Sequence, residues 1–265
     1  MITRKQDGIA FLTRRWPVDP HLPTLIFIHG ASQQGSFWTA QVEGLSAAAN
    51  TIAVDLPGHG DSAGDGFRQV SDYARSVMDF IDTIDAPAPI PCGFSLGGAI
   101  ALFLMIHHGD RLIAGILANT GARLKVLPTI IETVAHDYNA HLKALIDYAV
   151  APANRTNDTI CKKVLTCATA GSQVTANDFR ACDTFDVIDQ VSRIHLPVLV
   201  LSAQYDTLTP PKYAHWISAA IQGARHESIN GAGHMSPIER PGAFNNAILR
   251  FLTSLNGRGT EPLNR

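Results

Sequence analysis

The sequence predicts an α/β fold in which a mostly parallel central sheet has helices on both faces and contains a helical insertion. Apolar runs of strand length alternate with helical patterns along most of the chain. Continuous apolar runs are typical of parallel strands buried on both faces, and the alternation indicates a sheet covered on both sides. Residues 121–194 break the alternation. The 265 residues are enough for one compact body that includes this insertion.

Each element is predicted from a local pattern. Residues 2–15 are predicted to form an antiparallel hairpin at the sheet edge. The apolar runs predict buried strands at residues 24–28, 51–54, 89–93, 112–117, 197–201 and 226–229. Helical periodicity predicts helices at residues 37–50, 71–84, 96–108, 211–221 and 241–255. The tail, residues 256–265, is expected to fray.

The interval without a buried strand is expected to form a helical cap, or lid. We therefore predict a core domain of residues 1–120 and 195–265 and a cap of residues 121–194, with helix-like stretches at 126–150, 158–170 and 175–182. Apolar residues of this interval have a largely helical spacing that would place one apolar face over a site. They are Leu124, Val126, Leu127, Ile130, Ile131, Leu142, Leu145 and Ile146. Packing within the cap explains the same pattern without a substrate.

Composition excludes several classes of protein. The 21 Lys and Arg residues are balanced by 23 Asp and Glu residues without long runs of either sign, so nothing predicts a nucleic-acid partner. The longest apolar stretch, residues 99–106, is far shorter than the ~18 residues that a membrane span requires. The first residues lack the apolar region of a secretory signal. We therefore expect a cytoplasmic protein without a membrane span.

The cysteines do not predict a metal site. Cys92, Cys161, Cys167 and Cys182 form no CxxC pair and no His/Cys cluster with zinc spacing. Cys92 ends an apolar run and is expected to pack in the core. We expect neither a metal nor another cofactor.

A candidate nucleophile lies in the segment GFSLGG at residues 93–98. This segment follows a predicted strand and opens a predicted helix, which is the context that a nucleophile elbow requires. The small residues Gly93 and Gly97 let the backbone pass closely in the turn, so that the hydroxyl of Ser95 is exposed above the sheet. The helix N-terminus also provides unpaired N–H groups that suit an oxyanion. Ser95 is therefore predicted to be the nucleophile.

A serine nucleophile needs a base, and His234 is the best candidate among 11 histidines. It lies in the glycine-rich loop NGAGHM, directly after the last predicted strand, where a side chain can bend back over the sheet edge. The other histidines lack that setting. His107 and His108, for example, end a helix and are read as cations near its C-terminus.

Asp206 is predicted to orient the histidine. It follows the apolar strand at residues 197–201 and gives the chain order Ser, Asp, His that is typical of this arrangement. A turn or helix-capping role is the alternative for this residue. The rivals Asp183, Asp186 and Asp189 lie in or near the insertion and have no strand directly before them.

Together these motifs resemble the α/β-hydrolase superfamily over essentially the whole chain, and most closely its small bacterial carboxylesterases and enol-lactonases. The resemblance also includes His29-Gly30 after the first buried strand and the loop DLPGHGDS at residues 55–62. It implies an oxyanion hole formed by the backbone N–H groups of Ala31 and Leu96. It also implies a structural role for Asp55 and His59 in the second loop.

The resemblance implies a serine hydrolase that cleaves carboxylic ester bonds of small, apolar substrates through an acyl-enzyme, with a small-molecule ester as its partner. The motif does not distinguish esters from lactones. A carbon–carbon bond hydrolase on the same triad is one alternative, for which Arg123 is the only basic residue that could bind a substrate carboxylate. A ligand receptor of this fold with slow turnover is another, and single-turnover kinetics would separate it from an esterase.

Overall fold

A mixed eight-stranded sheet runs through the residues that the computed structural model describes, 1–256. The strands are β1 (Ile2–Gln6), β2 (Ile9–Thr13), β3 (Thr24–Ile28), β4 (Asn50–Val54), β5 (Pro89–Phe94), β6 (Gly115–Ala118), β7 (Val198–Ala203) and β8 (Arg225–Ile229). Their order is β1-β2-β4-β3-β5-β6-β7-β8. Strands β3 to β8 are parallel, and the β1–β2 hairpin joins antiparallel at the β4 edge. The predicted fold class and edge hairpin are confirmed.

Helices cover both faces of the sheet. Within the same residues they are α1 (Thr39–Gly44), α2 (Val70–Thr83), α3 (Leu96–His107), α4 (Pro128–His136), α5 (Tyr138–Ala149), α6 (Asp158–Cys167), α7 (Gly171–Thr184), α8 (Pro211–Ala220), α9 (Ser236–Glu239) and α10 (Pro241–Asn256). Alternate residues of β3 face opposite sides. Ile26 and Ile28 pack in a core with residues of α2, α3 and α8, whereas Leu25 and Phe27 pack with residues of α1 and α10. A strand buried on both sides is apolar at every position, which explains the continuous run in the sequence.

Two elements of the predicted core domain have boundaries that are wrong by several residues. Strand β6 begins at Gly115 and not at residue 112, because pairing with β7 starts only at Gly115 and Val198. The predicted helix 37–50 is a 3-10 turn followed by α1, which ends at Gly44. Asn50 already belongs to strand β4, where its side-chain amide donates to the carbonyls of Asp19 and Leu22. The tail expected to fray lies outside the described residues, except for Asn256 at the end of α10.

Helices α4 to α7 lie between β6 and β7, in the interval that lacked a predicted strand. The predicted stretch 126–150 is two helices, because Asp137 leaves the helical conformation and caps α5 by accepting from the Ala140 N–H. The next helix, α6, ends at Cys167, and α7 begins at Gly171, earlier than the predicted residue 175. Helix α7 packs on α3 and on α4.

No helix within residues 1–256 combines the length and the apolar character needed to cross a bilayer.

The crossing of α3 over β3 generates a stability prediction. A Cβ added at Gly97 would overlap the carbonyl oxygens of Ile28 and His29, which are backbone atoms and cannot rotate away. We expect Gly97→Ala to lower the free energy of unfolding by about 3 kcal/mol or more, since overpacking against backbone forces the helix outward. Chemical denaturation measures this loss.

Gly242→Ala is the matched control, because Gly242 is also a helical glycine and a Cβ there meets nothing within 4 Å. It should leave stability unchanged or raise it by up to about 1 kcal/mol through better helix propensity. Equal stability of the two variants would contradict the close approach at Gly97.

Candidate active site

Ser95 occupies a strained turn between β5 and α3. Its φ of 54° and ψ of −115° are unfavourable for a residue with a side chain. The turn is held by two hydrogen bonds, from the Ser95 N–H to the Ala118 carbonyl (3.1 Å) and from the Thr120 hydroxyl to the Ser95 carbonyl (2.8 Å). A Cβ at Gly93 would overlap the backbone of Gly97, so the turn requires glycine there. The strain and the glycines are those expected of a nucleophile elbow.

His234 and Asp206 form a buried hydrogen-bonded pair. The His234 Nδ1 lies 2.9 Å from the Asp206 Oδ2, and the side chains are 5% and 0% exposed. An ionised carboxylate only accepts hydrogen bonds, so Nδ1 carries the proton and Nε2 remains as the acceptor. The ring of His234 also packs against Phe94 with centroids 4.8 Å apart. This contact and the hydrogen bond to Asp206 fix the imidazole orientation.

Asp206 receives more donors than the sequence predicted. Its Oδ1 accepts from the backbone N–H groups of Leu208 and Thr209, both at 2.9 Å, so it also holds the turn after β7. Its Oδ2 accepts from the side chains of Asn119 (2.8 Å) and Thr209 (2.7 Å). The catalytic and turn-capping interpretations are therefore compatible with one geometry.

The charge state of Asp206 follows from these contacts. Burial alone would raise the pKa of its carboxyl group, but the facing His234 and the hydrogen bonds lower the pKa below its usual value overall. The carboxylate thus stays ionised beside the imidazole. Asn119 could not be found from the sequence, because it lies 87 positions before Asp206 and meets it only when the sheet forms. Thr209, three positions after Asp206, belongs to the local turn.

Glu239 fixes the loop that carries His234. Its Oε1 accepts from the Gly233 N–H at 2.9 Å, directly before the histidine. Its Oε2 accepts from the Ala151 N–H (2.9 Å) and from the side-chain amide of Asn154 (2.6 Å). Glu239 is 3% exposed, and a buried carboxylate is tolerated only with such partners. The sequence analysis missed this residue, which lies five positions after His234 in a short helix.

The resemblance predicts an oxyanion hole formed by the backbone N–H groups of Ala31 and Leu96. Leu96 directly follows Ser95, and Ala31 lines the same cavity as Ser95 and His234. Within residues 1–256, neither the Ala31 nor the Leu96 N–H donates to a backbone carbonyl. Both donors are thus available to an oxygen atom beside Ser95.

His29 sets the orientation of the Ala31 amide. Its Nδ1–H donates to the Gly30 carbonyl at 2.8 Å, and its Nε2 accepts from the Leu56 N–H at 3.0 Å. Because the peptide bond is planar and trans, fixing the Gly30 carbonyl points the Ala31 N–H the opposite way. Burial of the ring is the main cause that holds the pKa of His29 well below 6.5, and the charge of the neighbouring His59 is the second. This direction agrees with a neutral ring that donates one hydrogen bond and accepts another.

Asp55 and His59 hold loops in place and do not line the cavity. The Asp55 carboxylate accepts from the N–H groups of Gly35 (2.6 Å) and Asp61 (3.0 Å). His59 is fully buried and pairs with Asp178 of α7 at 2.9 Å. These contacts support the structural role that the resemblance implied for both residues.

A cavity of about 360 Å³ opens at Ser95 and His234. Its wall is mainly apolar and aromatic, and residues from 121–194 provide much of it; the lining is Ala31, Ser95, Leu124, Lys125, Val126, Leu127, Ile130, Tyr148, Phe179, Cys182, Thr207, Leu208, Thr209, Tyr213 and His234. A mainly apolar wall with a few polar groups is typical of small-molecule sites.

Seven of the eight apolar residues singled out in the insertion divide into two groups, and Ile131 belongs to neither. Leu124, Val126, Leu127 and Ile130 line the cavity, but only Ile130 does so from a helix, because α4 begins at Pro128. Residues 142, 145 and 146 instead pack against the core that contains α1 and α10, so the expectation of one common face over the site is wrong for them. Tyr148 and Phe179 are lining residues that the spacing did not indicate.

Two of the three rival acids, Asp183 and Asp186, have partners elsewhere. Asp186 pairs with Arg123 at 2.6 Å, and Asp183 accepts from the Val126 N–H at 3.2 Å. Arg123 does not line the cavity.

Within residues 1–256, no three His, Cys, Asp or Glu side chains are grouped closely enough to bind a metal ion.

Known proteins match both the fold and the extent of the chain. A family model described as the alpha/beta hydrolase family matches residues 25–247, a range that includes every candidate site residue. The chain belongs to the alpha/beta hydrolase family, and the predicted resemblance is confirmed.

Two relatives and one solved structure show the range of similar proteins. The 3-oxoadipate enol-lactonase 1 of Acinetobacter baylyi is 25% identical over 96% of this chain and 97% of the relative. The pimeloyl-(acyl-carrier protein) methyl ester esterase of Neisseria meningitidis is 27% identical over 82% and 88%. A crystal structure of a hydrolase from Pseudomonas aeruginosa PA01 superposes with a TM-score of 0.83, at 26% identity over 95% and 97% of the two chains.

The Glu239 contacts generate a prediction. Glu239→Gln keeps the shape of the side chain. It points an amide NH₂ group at N–H groups that donate hydrogen bonds to the carboxylate in the wild type. We expect the free energy of unfolding to fall by about 2 kcal/mol, because a buried donor is left without an acceptor. Urea denaturation measures the change.

Glu227→Gln is the matched control, since Glu227 pairs with Arg250 at the surface and their side chains are 33% and 61% exposed. It should cost less than about 1 kcal/mol, because surface ion pairs contribute little. An equally small loss in Glu239→Gln would show that the Glu239 contacts do not stabilise the loop.

Proposed function

We propose that this chain is a serine hydrolase that cleaves carboxylic esters of small, apolar substrates, with lactones as the closest alternative. One observation carries the proposal: a strained serine and a buried aspartate–histidine pair meet at the wall of one apolar cavity. Ser95 is the nucleophile, His234 the general base and Asp206 the residue that orients the base.

Acylation uses the free nitrogen of the imidazole. The Nε2 of His234 takes the proton from Ser95 as the serine oxygen attacks the carbonyl carbon of the substrate. Asp206 holds the Nδ1–H tautomer and stabilises the imidazolium. Collapse of the tetrahedral intermediate breaks the bond to the leaving oxygen, which takes the proton from His234. The product is a Ser95 ester, the acyl-enzyme.

Deacylation reverses these roles. His234 removes a proton from water, the hydroxide attacks the acyl carbon, and Ser95 leaves with the proton from His234. The N–H groups of Ala31 and Leu96 bind the oxyanion in both steps, and each such donor typically contributes ~3 kcal/mol to transition-state stability. With a lactone, the leaving hydroxyl stays on the acyl chain and a hydroxy acid is released.

The cavity supports small substrates. Its volume of about 360 Å³ is near the lower end of the ~300–1,000 Å³ found for small-molecule sites. We propose that residues 121–194 act as a cap whose residues Leu124, Val126 and Ile130 contact the apolar part of the substrate. Long acyl chains exceed the cavity and would leave apolar surface in water.

The lactone alternative is supported by the enol-lactonase relative, whose identity to this chain is close to that of the esterase relative. The carbon–carbon bond alternative is not supported by a contact, because Arg123 is bound to Asp186 and lies outside the cavity wall. A slow receptor would show one turnover at most with any substrate.

Hydrolysis of p-nitrophenyl esters from acetate to long-chain acyl tests the proposal. We expect multiple turnover by the wild type on short and medium chains, and a decrease on long chains. Ser95→Ala should lower kcat by at least about 10⁴-fold, because the covalent step is lost. Turnover is followed by nitrophenolate release.

Ser202→Ala is the matched control, because Ser202 also contacts a histidine, the Nε2 of His226 at 2.9 Å, but is buried in β7 away from the cavity. It should change kcat by less than about threefold. Hydrolysis that persists in Ser95→Ala would contradict the assignment of Ser95 as the nucleophile. A wild type inactive on all esters but active on lactones would establish the alternative.

A further inference from the structure

Asp178 is a fully buried carboxylate that no step of the proposed mechanism uses. It lies in α7, within the segment 121–194, and its side chain is 0% exposed. Its Oδ1 accepts from the Tyr73 hydroxyl at 2.6 Å, and its Oδ2 accepts from the Ser32 N–H and from His59 Nε2, both at 2.9 Å. Three donors from three parts of the core thus converge on one carboxylate.

The contact with Ser32 is unusual, because Ser32 directly follows the oxyanion residue Ala31. Ser32 has a φ of 63°, in the left-handed region that a residue with a side chain rarely adopts. Its N–H is bound by Asp178, and its carbonyl accepts from the Ala170 N–H at 3.2 Å. Both backbone polar groups of Ser32 are therefore held by the segment 121–194.

These contacts complete a clamp on the Ala31 amide. On the preceding side, the Gly30 carbonyl is fixed by His29 Nδ1–H and by the Gln33 N–H at 3.3 Å. On the following side, Asp178 fixes the Ser32 N–H. The two peptide planes that flank Ala31 share its Cα atom. The first is held by the core and the second by α7, so a shift of the second plane turns the Ala31 backbone and displaces its N–H.

We propose that Asp178 is a positioning residue that aims the Ala31 N–H at the oxyanion, so that the segment 121–194 completes the oxyanion hole. The inference rests on the proposed function, because it assumes that Ala31 donates to the transition state. A donor displaced by a fraction of an ångström stabilises the oxyanion less but still admits substrate. The effect therefore falls on kcat and not on KM.

The variants Asp178→Ala and Asp178→Asn together test the positioning role of Asp178. Both are assayed on the p-nitrophenyl ester that the wild type hydrolyses best. Asp178→Ala should lower kcat by on the order of 10- to 100-fold, with KM within about threefold. Asp178→Asn keeps an oxygen that can accept from the Ser32 N–H, so it should restore kcat to within about threefold of the wild type. Rescue by the amide would not be expected if only the buried charge mattered.

Asn177→Ala is the matched control. Asn177 is the neighbouring residue of α7, is also buried, and binds the core through the Arg68 side chain (3.1 Å) and the Asp65 carbonyl (3.3 Å). It does not contact Ser32. This variant should change kcat by less than about threefold.

Ala170→Pro provides a second variant that leaves Asp178 in place. It deletes the N–H that donates to the Ser32 carbonyl, and the φ of −66° at Ala170 already suits proline. We expect kcat to fall by about three- to tenfold with KM unchanged. This variant decides the question if Asp178→Ala does not fold, which thermal unfolding would reveal.

The outcomes separate the two proposals. An active wild type whose kcat is unchanged in Asp178→Ala or, should that variant not fold, in Ala170→Pro would overturn this inference alone. An equal loss of kcat in Asn177→Ala, or a loss that appears in KM, would also overturn it. A wild type without Ser95-dependent hydrolysis would overturn the proposed function and this inference with it.

Discussion

The tight crossing between β5 and α3 is the constraint on which the candidate site depends. Gly93 and Gly97 allow the strand, the turn and the helix to approach within backbone contact, and Ser95 between them takes a left-handed conformation. Strand β6 and the segment directly after it hold this strain through the Ala118 carbonyl and the Thr120 hydroxyl. The rigid sheet therefore stabilises a local conformation that an isolated turn would not keep. It also puts the Ser95 side chain at the cavity and the Leu96 N–H next to it.

Three buried carboxylates then position the groups around Ser95, and each is surrounded by donors. Asp206 holds the ring of His234, Glu239 holds the loop before it, and Asp178 holds the backbone beside Ala31. A buried carboxylate is destabilising unless its oxygens are paired, so each of them requires a defined set of neighbours. In the proposed mechanism, function and fold are coupled at these three points, because a change that frees one carboxylate also releases the ring, loop or backbone that it holds.

The sequence predicted what depends on local pattern. Ser95 was found from glycines within two positions of it, and the strands were found from continuous apolar runs that the double coverage of the sheet explains. The contacts of Asp178 could not be predicted, because Ser32 lies 146 positions away and meets α7 only when the insertion packs on the core. Glu239 and Asn119 were missed because a single polar residue has no periodicity that a sequence pattern could reveal. The position of the break between α4 and α5 at Asp137 could not be predicted, because several nearby polar residues are also able to cap a helix.

The central claim is that His234 activates Ser95, and covalent labelling tests it most directly. The wild type is treated with a fluorophosphonate, which reacts with an activated serine, and the modified peptide is identified by mass spectrometry. The account predicts one adduct per chain, on Ser95, and loss of that adduct in His234→Ala. An unlabelled wild type, an adduct on another residue, or full labelling of Ser95 in His234→Ala would contradict it.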